Sequence, residues 1–490
     1  MKSRALNFVH LVIVATIAIT ACVAIYLPLH YDSSYNLLLA RTFADTGRYA
    51  TDMYILRTQE YFPVDGWITT GYPVLMPIAQ LWRLVASAVA LPRAIMLVWG
   101  ILFLWGSIRA ASSLFPKLPR DGVAMLVATL FLSQPLLVEG SIHSLGDLPA
   151  TVFSLAAIGL LNKLERHPLS AFAFGLACGF AVVSKTIFVF ALTPFAVWAI
   201  CRLIKVRPAV GSSWRQSRWA SCLVLVLGGV IPLLFQFFLI YRQMDLAEWW
   251  KAQQLIWMTQ QAGVHFAAFA DLQSLWKRIQ FVFSTDPLFA FSGLFVIILF
   301  IRFTRFRHPA LLALSSVYLL LTLFQINLIP RHNMLNTFYA SLILLLFLIE
   351  QSATHLKLDW SRMRFYLWPL FILAFIRLLN LTGVQSPPLT MQRAAATFTN
   401  QALPDATIFF PGWWKAPDIQ LLSGRRFIQY DLELIKQCKP PCFLLTDALM
   451  KQLSPAEYET VRSQFGTPAY QFGAYSFYRV SPSGDRAATN

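Results

Sequence analysis

The segment from Phe8 to Leu29, FVHLVIVATIAITACVAIYLPL, runs straight into His30-Tyr31-Asp32-Ser33-Ser34-Tyr35. An apolar stretch of this length matches the roughly 20 helical residues that cross a hydrocarbon core. Ile19-Thr20-Ala21-Cys22 faintly resembles a lipoprotein cleavage site, but apolar residues continue past Cys22 to Leu29, so the segment reads as an uncleaved anchor. A carboxylate, Asp32, then stands at the mouth of the first span.

Similar stretches recur near residues 8–29, 93–114, 122–139, 148–163, 169–184, 186–203, 219–241, 285–301, 310–328, 333–350 and 365–382. Of the 490 residues, 57% are hydrophobic and 13% charged, which excludes a soluble enzyme. The expected fold class is an all-α polytopic membrane protein with about eleven transmembrane helices and a small C-terminal α/β extracytoplasmic domain.

Orientation follows from the basic residues, which accumulate on the cytoplasmic side of membrane proteins. With Lys2 and Arg4 inside, every second connection is also basic: Lys117 and Arg120, Lys163 and Arg166, Arg202 to Arg218, Arg302 to Arg307, and Lys357 to Arg364. The pattern requires that residues 72–91 do not cross, and Pro77 and Arg83 within them suit a re-entrant or surface-lying helix. These connections and lipid headgroups account for the net charge of +17, so nucleic acid is not an expected partner.

The N-terminus is thus expected in the cytoplasm, with the long connections 30–92 and 242–284 outside. Residues 1–382 form the membrane domain. Residues 383–490 have the composition of a water-soluble module, expected outside: helix 391–401, strands 406–410, 426–430 and 442–446, helix 455–465 and hairpin 469–480. Of six cysteines, Cys22, Cys178, Cys201 and Cys222 lie in or beside apolar runs. Cys438 and Cys442 flank Lys439-Pro440-Pro441 in polar surroundings, where an oxidising compartment would permit a local disulfide.

Ionisable residues at the expected outer ends carry the chemistry. Asp32 fits two roles, a general base beside the membrane or an N-cap of the helix that follows. Asp147, in Gly146-Asp147-Leu148-Pro149, offers the same pair of readings, and Glu139 and His143 precede it. Lys185 interrupts an almost continuous apolar run from Ala171 to Ile200, so it must snorkel, pair or bind an anion. Arg331 and His332, in Ile329-Pro330-Arg331-His332-Asn333, repeat that pattern. Cations so placed can stabilise a departing phosphate. Whether a divalent metal serves as cofactor stays open: Asp32, Asp147, His143 and His265 are candidate ligands without a ligand-spacing signature.

In this order the motifs resemble the GT-C superfamily of membrane glycosyltransferases, specifically glycosyltransferase family 39, which includes protein O-mannosyltransferases and aminoarabinose transferases. Tyr31-Asp32-Ser33 is similar to that family's first-loop acidic motif, and Leu39-Ala40-Arg41 with Thr46-Gly47 to its juxtamembrane helix. Thr69-Thr70-Gly71-Tyr72-Pro73-Val74-Leu75 resembles its proline-rich segment, Pro92-Arg93-Ala94 the arginine opening its second span, and Asp147 its second-loop aspartate. Ser184-Lys185 and Pro330-Arg331-His332 resemble the later lysine and Arg-Tyr motif. The first motif has Asp-Ser where many relatives have Asp-Glu, the proline segment lacks a Lys-Pro-Pro form, and His332 replaces a tyrosine.

The resemblance covers roughly residues 10–350. It implies a GT-C fold in a bacterial inner (plasma) membrane and sugar transfer on the outer face. The partners implied are a polyprenyl-phosphate-linked donor, membrane lipid and an acceptor (lipid, glycan or protein) that the resemblance does not identify. Asp32 and Asp147 would be the catalytic residues, and Lys185, Arg331 and His332 would bind the donor phosphate. Displacement at the sugar C1 would invert the anomeric centre. The alternatives are a transporter or flippase of lipid-linked saccharide, or an O-antigen-type polymerase or ligase. The first usually carries paired repeats and midplane polar residues, neither of which is evident here. The second would centre on arginines and histidine in large late loops.

Overall fold

The computed structural model describes residues 2–51, 64–65, 70–85, 87, 89–164, 168–186, 188–205, 218–242, 245–247, 249–251, 254, 276, 280, 334–356, 363–379, 388–411, 415–430, 435, 437–453 and 455–480. The spans expected at 285–301 and 310–328, most of connection 242–284, and the candidates His265, Arg331 and His332 lie outside the described residues.

The membrane domain is helical: α1 (Lys2–Tyr26), α2 (Tyr31–Thr46), α3 (Tyr72–Trp82), α4 (Ala90–Leu114), α5 (Arg120–Ser133), α6 (Pro135–Gly140), α7 (Asp147–Leu160), α8 (Pro168–Ser184), α9 (Phe188–Lys205), α10 (Arg218–Tyr241), α11 (Met334–Leu356) and α12 (Met363–Leu379). A two-stranded antiparallel ribbon, β1 (Ala50–Thr51) with β2 (Val64–Asp65), follows α2. Among the described residues, three helices are long and apolar enough to cross a membrane: Phe8–Tyr26, Ala90–Leu114 and Trp219–Tyr241. Shorter apolar helices include Asp147–Leu160 and Pro168–Ser184. At ~1.5 Å per residue α7 is only about 21 Å long, short of a hydrocarbon core of ~30 Å, so the described residues do not reach the expected count of spans.

One local difference has a plain cause. The stretch expected as one span at 122–139 is two helices broken at Gln134, because Pro135 has no N–H to donate and opens a new helix instead. Among the described residues of 72–89 the one helix is the 11-residue α3, whose length of about 17 Å cannot cross the core, with Arg83 at its C-terminal end.

Aromatic packing joins the bundle. The Phe103 ring of α4 lies 6.0 Å from Phe131 of α5 and 5.3 Å from Phe338 of α11, and all three are fully buried. Helices α8 and α10 meet backbone to backbone: a Cβ added at Gly175 would lie 1.9 Å from the Leu225 carbonyl oxygen.

Arg93, expected as the residue opening the second span, acts across helices. It is buried, and its guanidinium donates to the carbonyls of Ala24, Leu27 (2.6 Å) and Pro28 (3.2 Å). These are carbonyls that the end of α1 leaves without intrahelical partners, and a cation there also meets the negative end of the helix dipole. The exit of the chain toward Asp32 is thereby fixed.

The C-terminal module is built from α13 (Leu389–Gln401), β3 (Thr407–Phe410), α14 (Pro417–Ser423), β4 (Ile428–Gln429), β5 (Cys442–Thr446), α15 (Ala448–Leu453), α16 (Pro455–Phe465), β6 (Tyr470–Phe472) and β7 (Tyr475–Val480). Its five-stranded sheet has the order β4-β3-β5-β7-β6. Strand β3 runs parallel to β4 and β5, whereas β5–β7 and β6–β7 are antiparallel. Phe409, Phe410, Leu444 and Phe477 fill its own apolar core. Cys438 and Cys442, whose pairing the sequence left open, form a disulfide.

Two interactions dock this module on the segment between α1 and α2. Gln392 is buried and pairs with the Leu29 backbone in both directions, its Oε1 accepting from Leu29 N (2.9 Å) and its Nε2 donating to Leu29 O (3.0 Å). The same Nε2 lies 2.9 Å from the Asp418 carboxylate, to which the Tyr475 hydroxyl also donates. Burial holds the Asp418 carboxyl above its ordinary value, with the Tyr475 hydrogen bond chief among the contacts that pull it back down.

Candidate active site

Helix α2 organises the site. Its N-cap is His30, whose Nδ1 accepts from the Asp32 backbone N–H at 3.2 Å, while the His30 carbonyl accepts from Ser34 N (2.8 Å) and Oγ (3.0 Å). The capping role that the sequence allows for Asp32 therefore belongs to His30. Asp32 sits in the first turn, half-exposed, where the helix dipole favours an acidic residue. The helix ends at Gly47, which adopts φ 73° and donates its N–H to Phe43 O at 2.9 Å.

One face of α2 gathers two other connections. Ser33 Oγ accepts from Ser144 N at 3.0 Å, and Asn36 Nδ2 donates to Ser144 O (2.7 Å) and Thr70 Oγ1 (3.0 Å). All four residues are buried. The segment between α6 and α7 is thereby drawn against the first turn of α2, with the His143 ring centroid 5.4 Å from that of His30. Tyr31 and Tyr35 flank Asp32. Burial, and then the neighbouring Tyr35 and the carboxylates of Asp32, Asp447 and Asp418, push the Tyr31 phenol well above its usual value. The Tyr31 ring packs against the apolar core of the C-terminal module.

Asp147 opens α7, but the N-cap is Gly146, which makes no side-chain capping bond. The Asp147 carboxylate instead meets the Lys185 ammonium at 3.5 Å, with side-chain exposures of 13% and 21%. That pairing answers the question the sequence posed for Lys185: a cation in an apolar run is kept there beside a counter-charge, still in reach of solvent.

Two glycines fix the backbone that carries Lys185. A Cβ at Gly71 would lie 1.6 Å from Val183 O, and one at Gly146 would lie 1.9 Å from Ser184 O and 3.2 Å from Lys185 Cβ. Gly71 N also donates to Ser184 O at 3.3 Å, and Tyr72 N donates to the buried Gln236 Oε1 at 3.2 Å. The C-terminal end of α8 is therefore held between the starts of α3 and α7. Sequence reasoning missed these roles of Gly71 and Gly146. The available signal was a glycine immediately before each helix start, at Gly71-Tyr72-Pro73 and Gly146-Asp147.

Asp32, then His143 with Asp147, and Lys185 thus come from three segments: Ser33 and Asn36 tie the first to Ser144 of the second, and the Asp147 ion pair ties the second to the third. Among the described residues no group of three His, Cys, Asp or Glu side chains is placed to hold a metal ion. Asp32, Asp147 and His143 do not form a joint ligand set, and Asp147 faces a cation at hydrogen-bonding range.

No family model and no curated protein matches the chain by sequence. Solved structures do. ArnT from Cupriavidus metallidurans in the apo state is similar at TM-score 0.53 and 13% identity, over 98% of this chain and 99% of that one. ArnT bound to undecaprenyl phosphate matches at TM-score 0.50 and 12% identity, over 96% of this chain and 98% of that one. The oligosaccharyltransferase AglB from Archaeoglobus fulgidus, in complex with an inhibitory peptide and a dolichol-phosphate, matches at TM-score 0.51 and 12% identity, over 96% of this chain and 74% of that one. These are GT-C proteins, and the chain has the GT-C fold, with a helical membrane domain followed by a C-terminal module.

Proposed function

We propose that this chain is an integral membrane glycosyltransferase that moves a sugar from a polyprenyl-phosphate donor to an acceptor on the outer face of the membrane, with inversion. Supporting the reading is one observation above all: Ser33 and Asn36, beside Asp32 on α2, hydrogen-bond to Ser144, three residues before Asp147, whose carboxylate meets the Lys185 ammonium. Lipid-linked phosphate and water-borne acceptor would meet there. The GT-C neighbours solved with undecaprenyl phosphate and dolichol-phosphate support the same donor class.

In this mechanism Asp32 accepts the proton of the acceptor hydroxyl or amine as that atom attacks the sugar C1. The bond from C1 to the phosphate oxygen breaks, and polyprenyl phosphate leaves with the negative charge. Lys185 donates hydrogen bonds to that phosphate, with Arg331 and His332 assigned to the same anion. Asp147 orients Lys185 through the ion pair and keeps the ammonium aimed at the cluster when no donor is bound. General-base assistance is worth ~10²- to 10⁴-fold in rate.

The experiment separates binding from chemistry in detergent-purified protein supplied with a polyprenyl-phosphate sugar. Asp32→Asn should bind undecaprenyl phosphate as the parent does but lose roughly 10²-fold or more in release of polyprenyl phosphate. Lys185→Met should weaken lipid-phosphate binding instead. Parental turnover in Asp32→Asn would refute the base assignment, and parental binding in Lys185→Met would refute the phosphate assignment.

A further inference from the structure

Arg93 is buried where α4 begins, yet the groups that accept from its guanidinium, the carbonyls of Ala24, Leu27 and Pro28, are all neutral. The negative end of the α1 dipole offsets about half a unit of its charge. Among the described residues no carboxylate pairs with it, and the charged group that acts on it is another cation, Arg393 of α13. The Arg393 side chain is exposed and makes no ion pair or hydrogen bond among the described residues.

Burying a charge without its counter-ion is costly, and a second like charge beside it adds repulsion. Asp418, which reaches the residue before Arg393, is engaged by the Gln392 amide and the Tyr475 hydroxyl. Arg93 and Arg393 therefore make a dicationic spot whose described contacts are neutral, and an anion is the partner that it recruits.

The surrounding chain sets the depth of this spot in the bilayer. Helices α1 and α4 are both long and apolar enough to cross a membrane, and Arg93 joins the end of one to the start of the other. Tyr26, 82% exposed, closes the apolar run of α1 among the carbonyls that Arg93 holds. Aromatic side chains so placed sit at headgroup level. Gln392 binds the Leu29 backbone and brings α13, with Arg393, to the same level. Further along α4 the exposed Val98 and Ile101 lie about 8 and 12 Å from Arg93 along the axis, a surface for acyl chains rather than water.

We propose that Arg393 and Arg93 hold the headgroup phosphate of an anionic phospholipid at the exit of α1, the exposed Arg393 in direct contact and the buried Arg93 adding its field. Guanidinium forks match phosphate oxygens. A lipid is the occupant rather than a free anion, because charge and apolar surface follow one another along α4 in the order of a headgroup and its chains. Leu27 and Leu29, held by Arg93 and Gln392, lie five and three residues before Asp32, so the bound lipid braces the chain that leads to that carboxylate. The site depends on the chain being embedded in a membrane and not on glycosyl transfer.

The test titrates the full chain in detergent with phosphatidylglycerol or phosphatidylcholine of matched acyl chains and reads bound lipid by native mass spectrometry. The parent should prefer phosphatidylglycerol. Arg393→Gln, at an exposed position, should weaken phosphatidylglycerol binding about fivefold. Arg393→Lys should keep most of that binding, and Lys185→Met should leave it unchanged. Glycerol phosphate, which carries the charge without acyl chains, should not displace the lipid at equal concentration. Thermal melting without added lipid confirms that Arg393→Gln is folded. No preference of the parent for phosphatidylglycerol, or equal phosphatidylglycerol binding by parent and Arg393→Gln, would overturn the proposal, and displacement by glycerol phosphate would overturn the lipid as occupant.

Discussion

Replacing Gly146 with alanine tests how closely Lys185 must be placed. The new Cβ would stand 1.9 Å from Ser184 O, whereas real Cβ contacts essentially never fall below 3.0 Å, so the α8 terminus must withdraw by about 1 Å. Lys185 is the next residue and moves with it. For an anion held at a separation like the 3.5 Å of the Asp147 pair, a 1 Å retreat at an effective dielectric of ~20 loses about 1 kcal/mol, or roughly fivefold in affinity. Misplacement of this size also takes reacting groups off line, which raises the expected loss in turnover toward ~10²-fold. Undecaprenyl-phosphate binding and release of polyprenyl phosphate are the two readouts, with monodispersity and thermal melting to confirm folding. Gly159→Ala on the same helix is the control, because a Cβ there meets nothing within 4 Å and alanine favours the helix. A folded Gly146→Ala protein with parental binding and turnover would refute both the pinch on α8 and the role given to Lys185.

Two further outcomes are expected. Glu459, exposed on α16, should react as Glu459→Cys with an impermeant thiol reagent on intact cells; labelling only after permeabilisation would place the module in the cytoplasm and move the site with it. Asp418 binds its proton more tightly folded than unfolded, so its contribution to stability is present below its ordinary value of 3.8 and is withdrawn as pH rises through the higher folded value. Thermal melts across that window should show the parent losing stability relative to Asp418→Asn as pH rises, and the opposite trend would contradict the raised value.

What the sequence disclosed was local. The end of the first span, the strand at Cys442–Thr446 and the helix at Pro455–Phe465 all follow from composition and turn chemistry within a few residues. Lys185 and Asp147 stood out because charge is costly beside apolar runs. Helices α14 and α15 were missed, since six or seven residues give too few turns for a helical period to register. The placement of β7 between β5 and β6 was equally hidden, because strand pairing joins residues far apart in sequence, 38 positions for Cys442 with Val480. The candidate site divides the same way: its residue types were legible, but the Asp147–Lys185 pair and the Ser33–Ser144 contact depend on three connections meeting in space.

Those contacts give α2 its significance. The exit of α1 is fixed by Arg93, and the next backbone group, at Leu29, is fixed by Gln392 of the C-terminal module. One face of α2 is fastened to Ser144 and Thr70, and Arg41 on the same helix reaches the module at Leu421. Asp32 is therefore positioned by the membrane bundle and the soluble module together. Chemistry on a lipid-linked substrate demands reacting groups held to within about 1 Å, which a single helix at a bilayer surface does not supply alone. The C-terminal module is in this view part of the site's frame: its buried Gln392–Asp418–Tyr475 network holds the chain at Leu29, three residues before the carboxylate that would act as base.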